Sequence, residues 1–185
     1  MSYCCERILM TDFIINPEKA CCFTGHRNIS AKEYMAVRDV VDEKIKTLIS
    51  LGYTDFICGG ALGFDTIAAT SVIVLRRQYA KLGVEIKLHL FLPCRGQEKS
   101  WQEHNKRVYQ VIMDNADSIK YLSEQYERGI MYKRNRAMVD SSSCVVAYCM
   151  RKKGGTAYTV DYALQNDKQV IFLPAIKKPV AKSDD

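Results

Sequence analysis

Phe56-Ile57-Cys58-Gly59-Gly60-Ala61-Leu62-Gly63-Phe64-Asp65-Thr66 is the stretch on which the reading of the fold turns. The apolar run Phe56 to Cys58 follows Gly52-Tyr53-Thr54-Asp55 and has the character of a buried strand. Gly59 and Gly60 break it, and Thr66 to Leu75 continues as a helix. A strand that turns through glycines into a helix leaves free backbone N–H groups and the positive end of the helix dipole at the turn. Without a Cβ, glycine also lets a ligand approach the backbone. The spacing G-G-x-x-G differs from the dinucleotide fingerprint, because Cys58 stands where its first glycine would be. It differs from a Walker A loop, because no Lys-Ser or Lys-Thr follows. Two uses fit: a cradle for a phosphate, or a tight turn and nothing more.

The flanks repeat the same alternation. Upstream, Ala20 to Phe23 reads as a strand ending in Thr24-Gly25-His26-Arg27. Ser30 and Glu33 form a capping-box pair, and Tyr34, Val37, Val41, Ile45 and Leu48 make the stripe of an amphipathic helix that Gly52 ends. Downstream, strands are expected over 86–92, 118–122, 144–149 and 169–173, with helices over 105–115, 128–139 and 157–165. Six strands alternating with five helices predict an α/β, Rossmann-like, doubly wound and mostly parallel sheet with helices on both faces. Ligands of such sheets bind beyond the carboxyl ends of the strands, where strand order reverses. The expected organisation is an arm (1–18), one domain (19–174) and a disordered tail (175–185).

Composition narrows the class. With 48% apolar and 26% charged residues, the 185-residue chain reads as an ordinary globular protein. A net charge of +6 favours phosphate-bearing partners without separating a nucleotide from a nucleic acid. Eight cysteines occur without any C-x-x-C, which fits reduced thiols in a cytoplasmic protein better than a metal site. No signal peptide and no membrane-spanning run is evident.

The candidate residues gather at the expected carboxyl edge, and each has a plainer alternative. Arg27 suits paired bonds to a phosphate, or an ion pair with a neighbouring acid; His26 contacts ligand or caps a helix. Asp65 would take sugar hydroxyls or an amine, or serve as a helix cap. Gly154, Gly155 and Thr156 offer a second helix-start cradle, with Arg151 to Lys153 supplying charge, or form a solvated basic turn. Trp101 is a stacking platform or a cover for the core edge. Arg134 and Asn135 contact ligand or belong to an exposed cationic helix face. No catalytic residue, cofactor or metal ligand is assigned.

Thr24-Gly25-His26-Arg27, Gly59-Gly60-Ala61-Leu62-Gly63-Phe64-Asp65, Gln97 with Trp101, Arg134-Asn135 and Gly154-Gly155-Thr156 together resemble the YpsA/YoqJ-like family of the SLOG superfamily. That superfamily also holds the DprA/SMF proteins and the LOG phosphoribohydrolases. The resemblance implies a Rossmann-like protein that binds or senses a nucleotide or nucleotide-derived ligand. It also implies two alternatives. One is cleavage of the N-glycosidic bond of nucleoside monophosphates, as in LOG enzymes. Arg134-Asn135-Arg136-Ala137-Met138 is similar to their arginine helix, but Ala157-Tyr158-Thr159 follows Thr156 where they carry a glutamate. The other is single-stranded nucleic-acid binding, as in DprA-type proteins, which the short chain does not favour. Relatives often dimerise, so a homodimer is admissible.

Overall fold

The computed structural model describes residues 15–176. Most of the expected arm, residues 1–14, and of the expected tail, 177–185, lies outside the described residues. After a single 3-10 turn at Pro17–Lys19 come β1 (Ala20–Gly25), α1 (Ala31–Ser50), β2 (Asp55–Cys58) and α2 (Phe64–Ala80). Then follow β3 (Lys87–Leu92), α3 (Glu103–Asp114), β4 (Ser118–Tyr121), α4 (Ile130–Asp140), β5 (Cys144–Tyr148), α5 (Gly155–Gln165) and β6 (Gln169–Phe172). All six strands are parallel, in the order β4-β3-β2-β1-β5-β6. The chain builds outward from β1 to β4, then returns to the other side of β1. The order therefore reverses between β1 and β5, and a crevice opens at their carboxyl ends.

Alternation along the strands separates the two helical layers. Cys21, Phe23, Phe56 and Cys58 belong to the core shared with α1, α2 and α3, while Cys22 and Ile57 belong to the core with α4 and α5. Strands buried on both faces explain why their sequences read as unbroken apolar runs. Helix α1 starts as its capping pair predicts: the Glu33 carboxylate accepts from the Ser30 N–H (3.3 Å) and hydroxyl (2.6 Å). Helix α2 starts two residues earlier than expected, because Phe64 is buried and its N–H donates to the His26 carbonyl at the end of β1 (3.1 Å).

At the opposite, amino edge a buried polar chain ties three strands together. Asp55 Oδ1 lies 2.8 Å from His89 Nε2, and His89 Nδ1 meets the Ser118 hydroxyl. Burial alone would push the Asp55 carboxyl up. The hydrogen bonds from His89 and Thr54 and the nearby charges outweigh that and hold it below 3.8. A depressed carboxyl contributes stability that is present above its ordinary value and lost as pH falls through its folded value. We predict that Asp55→Ala costs about 1–3 kcal/mol, the penalty for stranding a buried partner. The loss should shrink in urea titrations as the pH is taken down through the folded value, under 3.8, where the parent gives up the same contribution. An Asp55→Ala protein as stable as the parent at pH 7 would refute the account.

Candidate functional site

The crevice between β1 and β5 holds a cleft of about 260 Å³. Four segments wall it: the end of β1, the β2–α2 turn, one face of α4, and the β5–α5 turn with the start of α5. On α4 the lining residues are Met131, Arg134, Asn135 and Met138, the i, i+3, i+4, i+7 stripe of a single helix face.

Arg134 is not on an exposed cationic face; only 6% of it is exposed. Its Nη1 lies 3.4 Å from Asp65 Oδ2, itself buried at the start of α2. Burial pulls the guanidinium pKa down, Asp65 pushes it back up, and Arg27 opposes it again. Arginine stays a cation under such pressures. Its Nε is buried and has no hydrogen-bond partner. The pair is possible because residue 59 is glycine: a Cβ there would sit 1.3 Å from Arg134 Nη1 and 2.7 Å from Asp65 Oδ2. The same Asp65 oxygen, Oδ2, also accepts from the Ala61 N–H (3.3 Å).

The β5–α5 turn is different in kind. Gly154 has φ +115°, in the region that favours glycine, and a Cβ at either Gly154 or Gly155 would meet nothing within 4 Å. The side-chain positions at the start of α5 are thus open, its first N–H groups have no intrahelical acceptor, and the dipole favours an anion there. Asn135 aims this helix: its Nδ2 donates to Thr159 Oγ1 (2.7 Å), and that hydroxyl donates to the Gly155 carbonyl (2.8 Å). Arg27, Arg151 and Lys153 line the cleft without a carboxylate at ion-pair distance among the described residues. Asp65 is the lone carboxylate of the lining.

His26 stands at the mouth. Its Nε2 accepts the Met150 N–H at 2.7 Å, which places the ring proton on Nδ1. Burial, then the Arg151 charge, pulls its pKa below 6.5. The imidazole is therefore a neutral donor at pH 7.

Of the residues singled out from the sequence, Thr24, Gly25, His26, Arg27, Asp65, Arg134, Asn135, Gly154, Gly155 and Thr156 line this cleft together. Gly59, Gly60, Gly63 and Trp101 are outside the lining. Gly59 lies beneath the Arg134–Asp65 pair. Gly60 points the other way, where a Cβ would come within 2.5 Å of Leu92 Cδ2. Gly63, at φ +75°, lets the α2 start approach β1, since a Cβ would strike the Arg27 carbonyl oxygen at 2.2 Å. Trp101 is half-buried with its ring edge-on to Tyr109, centroids 5.3 Å apart, and lines a neighbouring cavity instead. Sequence reasoning passed over Met131 and Thr159 and named Met138 only within the Arg134-to-Met138 resemblance; the α4 stripe would have placed both methionines in the lining.

Fold and cleft together define a Rossmann-like α/β protein with a cation-rich cleft at the switch point of its sheet. The chain belongs to the YspA SLOG family, whose model matches residues 21–176. A UPF0398 protein of Bacillus cereus (strain G9842) is 28% identical over 130 residues, covering 69% of this chain and 68% of the relative. A UPF0398 protein of Bacillus velezensis is 25% identical over a stretch of the same length. Two solved structures share the fold. DNA processing protein A of Streptococcus pneumoniae superposes with TM-score 0.58 at 19% identity, over 90% of this chain. The chain spans only about half of that protein, 52% of its length. DNA processing protein A of Helicobacter pylori, described for its single-stranded DNA binding mode, gives TM-score 0.61 at 22% identity, over 91% of this chain and 69% of its own. Among the described residues, no helix is long and apolar enough to cross a membrane, and no group of three or more His, Cys, Asp or Glu side chains could hold a metal.

Two predictions follow from this geometry. Gly59→Ala should cost about 3–5 kcal/mol in chemical denaturation, because it forces apart a buried ion pair. Full stability in that variant would mean the pair is not the support described here. For His26, long-range proton–nitrogen NMR should show the Nδ1–H tautomer titrating below pH 6.5. With a lowered pKa, the ring's contribution to stability is present above 6.5 and lost as pH falls. Arg151→Ala should move the titration upward; a downward or absent shift would contradict the charge effect.

Proposed function

We propose that the cleft binds a nucleotide or nucleotide-derived ligand, with its phosphate on the Gly154–Thr156 turn and its sugar toward Asp65 and Arg134. The observation that carries this reading is the buried Arg134 guanidinium, whose Nε is without a partner in the floor of a cleft rimmed by unpaired cations. A buried donor is normally satisfied, and a bound oxygen would satisfy this one. The open start of α5 supplies backbone N–H groups, and the Thr156 hydroxyl, which has no side-chain hydrogen bond among the described residues, adds another. Family membership supports the same reading. Binding without cleavage is favoured because no glutamate follows Thr156 and Asp161, the next acid along, is exposed on α5 away from the lining. Asp65, the lone carboxylate of the lining, is already paired with Arg134 through Oδ2.

Titration calorimetry with ADP tests it. Among the described residues the Arg27 guanidinium makes no ion pair and its one hydrogen bond is to Met131 Sδ (3.8 Å), so Arg27→Ala should leave thermal stability near that of the parent. Binding should weaken by about 1.5–3 kcal/mol, the range for hydrogen bonds to a charged group. AMP incubated with the protein should release no substantial free base by chromatography. Unchanged ADP affinity in Arg27→Ala would remove the phosphate assignment, and rapid base release would replace binding by hydrolysis.

A further inference from the structure

A second cavity of about 660 Å³ adjoins the cleft, and the two share Arg27 and Met131. The contact between Arg27 Nη2 and Met131 Sδ, 3.8 Å, is the sill between them. It joins an exposed arginine to an unbranched thioether, both of which rearrange readily. The first chamber is small: 260 Å³ falls below the roughly 300–1,000 Å³ usual for a pocket that encloses an organic ligand. Phosphate and sugar fill such a space, and whatever is attached to them must leave it over the sill.

The second chamber is lined differently. Trp101 and Tyr126 both border it, the latter 71% exposed and without a recorded packing partner among the described aromatic rings. Its one carboxylate, Glu124, is held by Arg95 at 2.8 Å. Gln97 is fixed by its Nε2, which donates to the Gly60 carbonyl (3.0 Å) and the Tyr109 hydroxyl (3.2 Å). That leaves its amide oxygen as the acceptor for an exocyclic amine. Aromatic faces, a held amide and an arginine at the entrance are the components of a base-binding site.

We propose that this cavity is a second subsite, and that the ligand is a phosphate-bridged dinucleoside. One phosphate sits on the α5 start, Arg27 lies over the bridge, and the second base is held between Trp101 and Tyr126. The inference rests on the nucleotide reading of the cleft. It also gives Trp101 a use that its packing on Tyr109 does not exhaust.

Calorimetry with AMP, ADP, a 5′,5′-linked diadenosine diphosphate and a single-stranded oligodeoxyadenylate separates the outcomes. The dinucleoside diphosphate should bind at least about tenfold tighter than ADP, as expected for one added base–aromatic stack. In Tyr126→Ala, whose exposed side chain makes misfolding no concern, the two affinities should converge; Trp101→Ala should do the same. Equal affinity for ADP and the dinucleoside in the parent would overturn the subsite and leave the cleft reading standing. Failure of every mononucleotide and dinucleotide to bind would overturn both. An oligonucleotide that binds more tightly with length and loosens steeply with salt, while the dinucleoside gains nothing over ADP, would overturn the subsite in favour of a nucleic-acid track.

Discussion

The cleft depends on a single buried ion pair. Taking a guanidinium and a carboxylate out of water is costly, and only close, well-supported pairing offsets it. Asp65 gains support from the start of α2, where its charge suits the helix dipole, and from the Ala61 N–H. Arg134 comes from α4, which follows β4 at the far edge of the sheet. The pair thus fastens two elements that belong to opposite helical layers, across the crevice that the reversal of strand order opens. Nη1 engages Asp65, while the buried Nε has no hydrogen-bond partner.

The glycines divide their labour around this pair. Gly59 makes room for Arg134, and Gly63 makes room for the carbonyls of His26 and Arg27, which hold the mouth of the cleft in place. Gly60 packs against the β3 side, toward Leu92 and Gln97. In the first glycine turn, then, the space that a missing Cβ leaves is filled by the protein itself. In the second turn, at Gly154 and Gly155, it stays open. The two turns look alike as strings of letters. The difference lies in which neighbours the sheet order brings against each, and that is a tertiary fact.

This separates what the sequence shows from what it hides. Strands buried on both faces appear as apolar runs, and helices announce their starts through pairs such as Ser30 with Glu33, so the element order and the parallel sheet were legible. Helix starts set by a long-range contact were less so: Phe64 joins α2 because its N–H finds His26 in another strand's loop. The burial of Arg134 was hidden for a related reason. A lone arginine on a helix is usually solvated, and only its place in a stripe with Met131, Asn135 and Met138 marks the inward face. Asn135 stands in the same stripe, yet its role is indirect, since it orients α5 through Thr159.

The same geometry bears on chemistry. Proton transfer needs a group whose lone pair is free at the reacting atom. Asp65 Oδ2 is engaged by Arg134 and Ala61, and His26 uses its Nε2 lone pair on the Met150 amide while its Nδ1 carries the proton. Around the cleft most of the groups left over are donors: Arg27, Arg151, Lys153, the Arg134 Nε, the Thr156 hydroxyl and the opening N–H groups of α5. A surface of donors recognises oxygen-rich anions and holds them. Recognition, on the reading proposed here, is what this arrangement of charge is suited to.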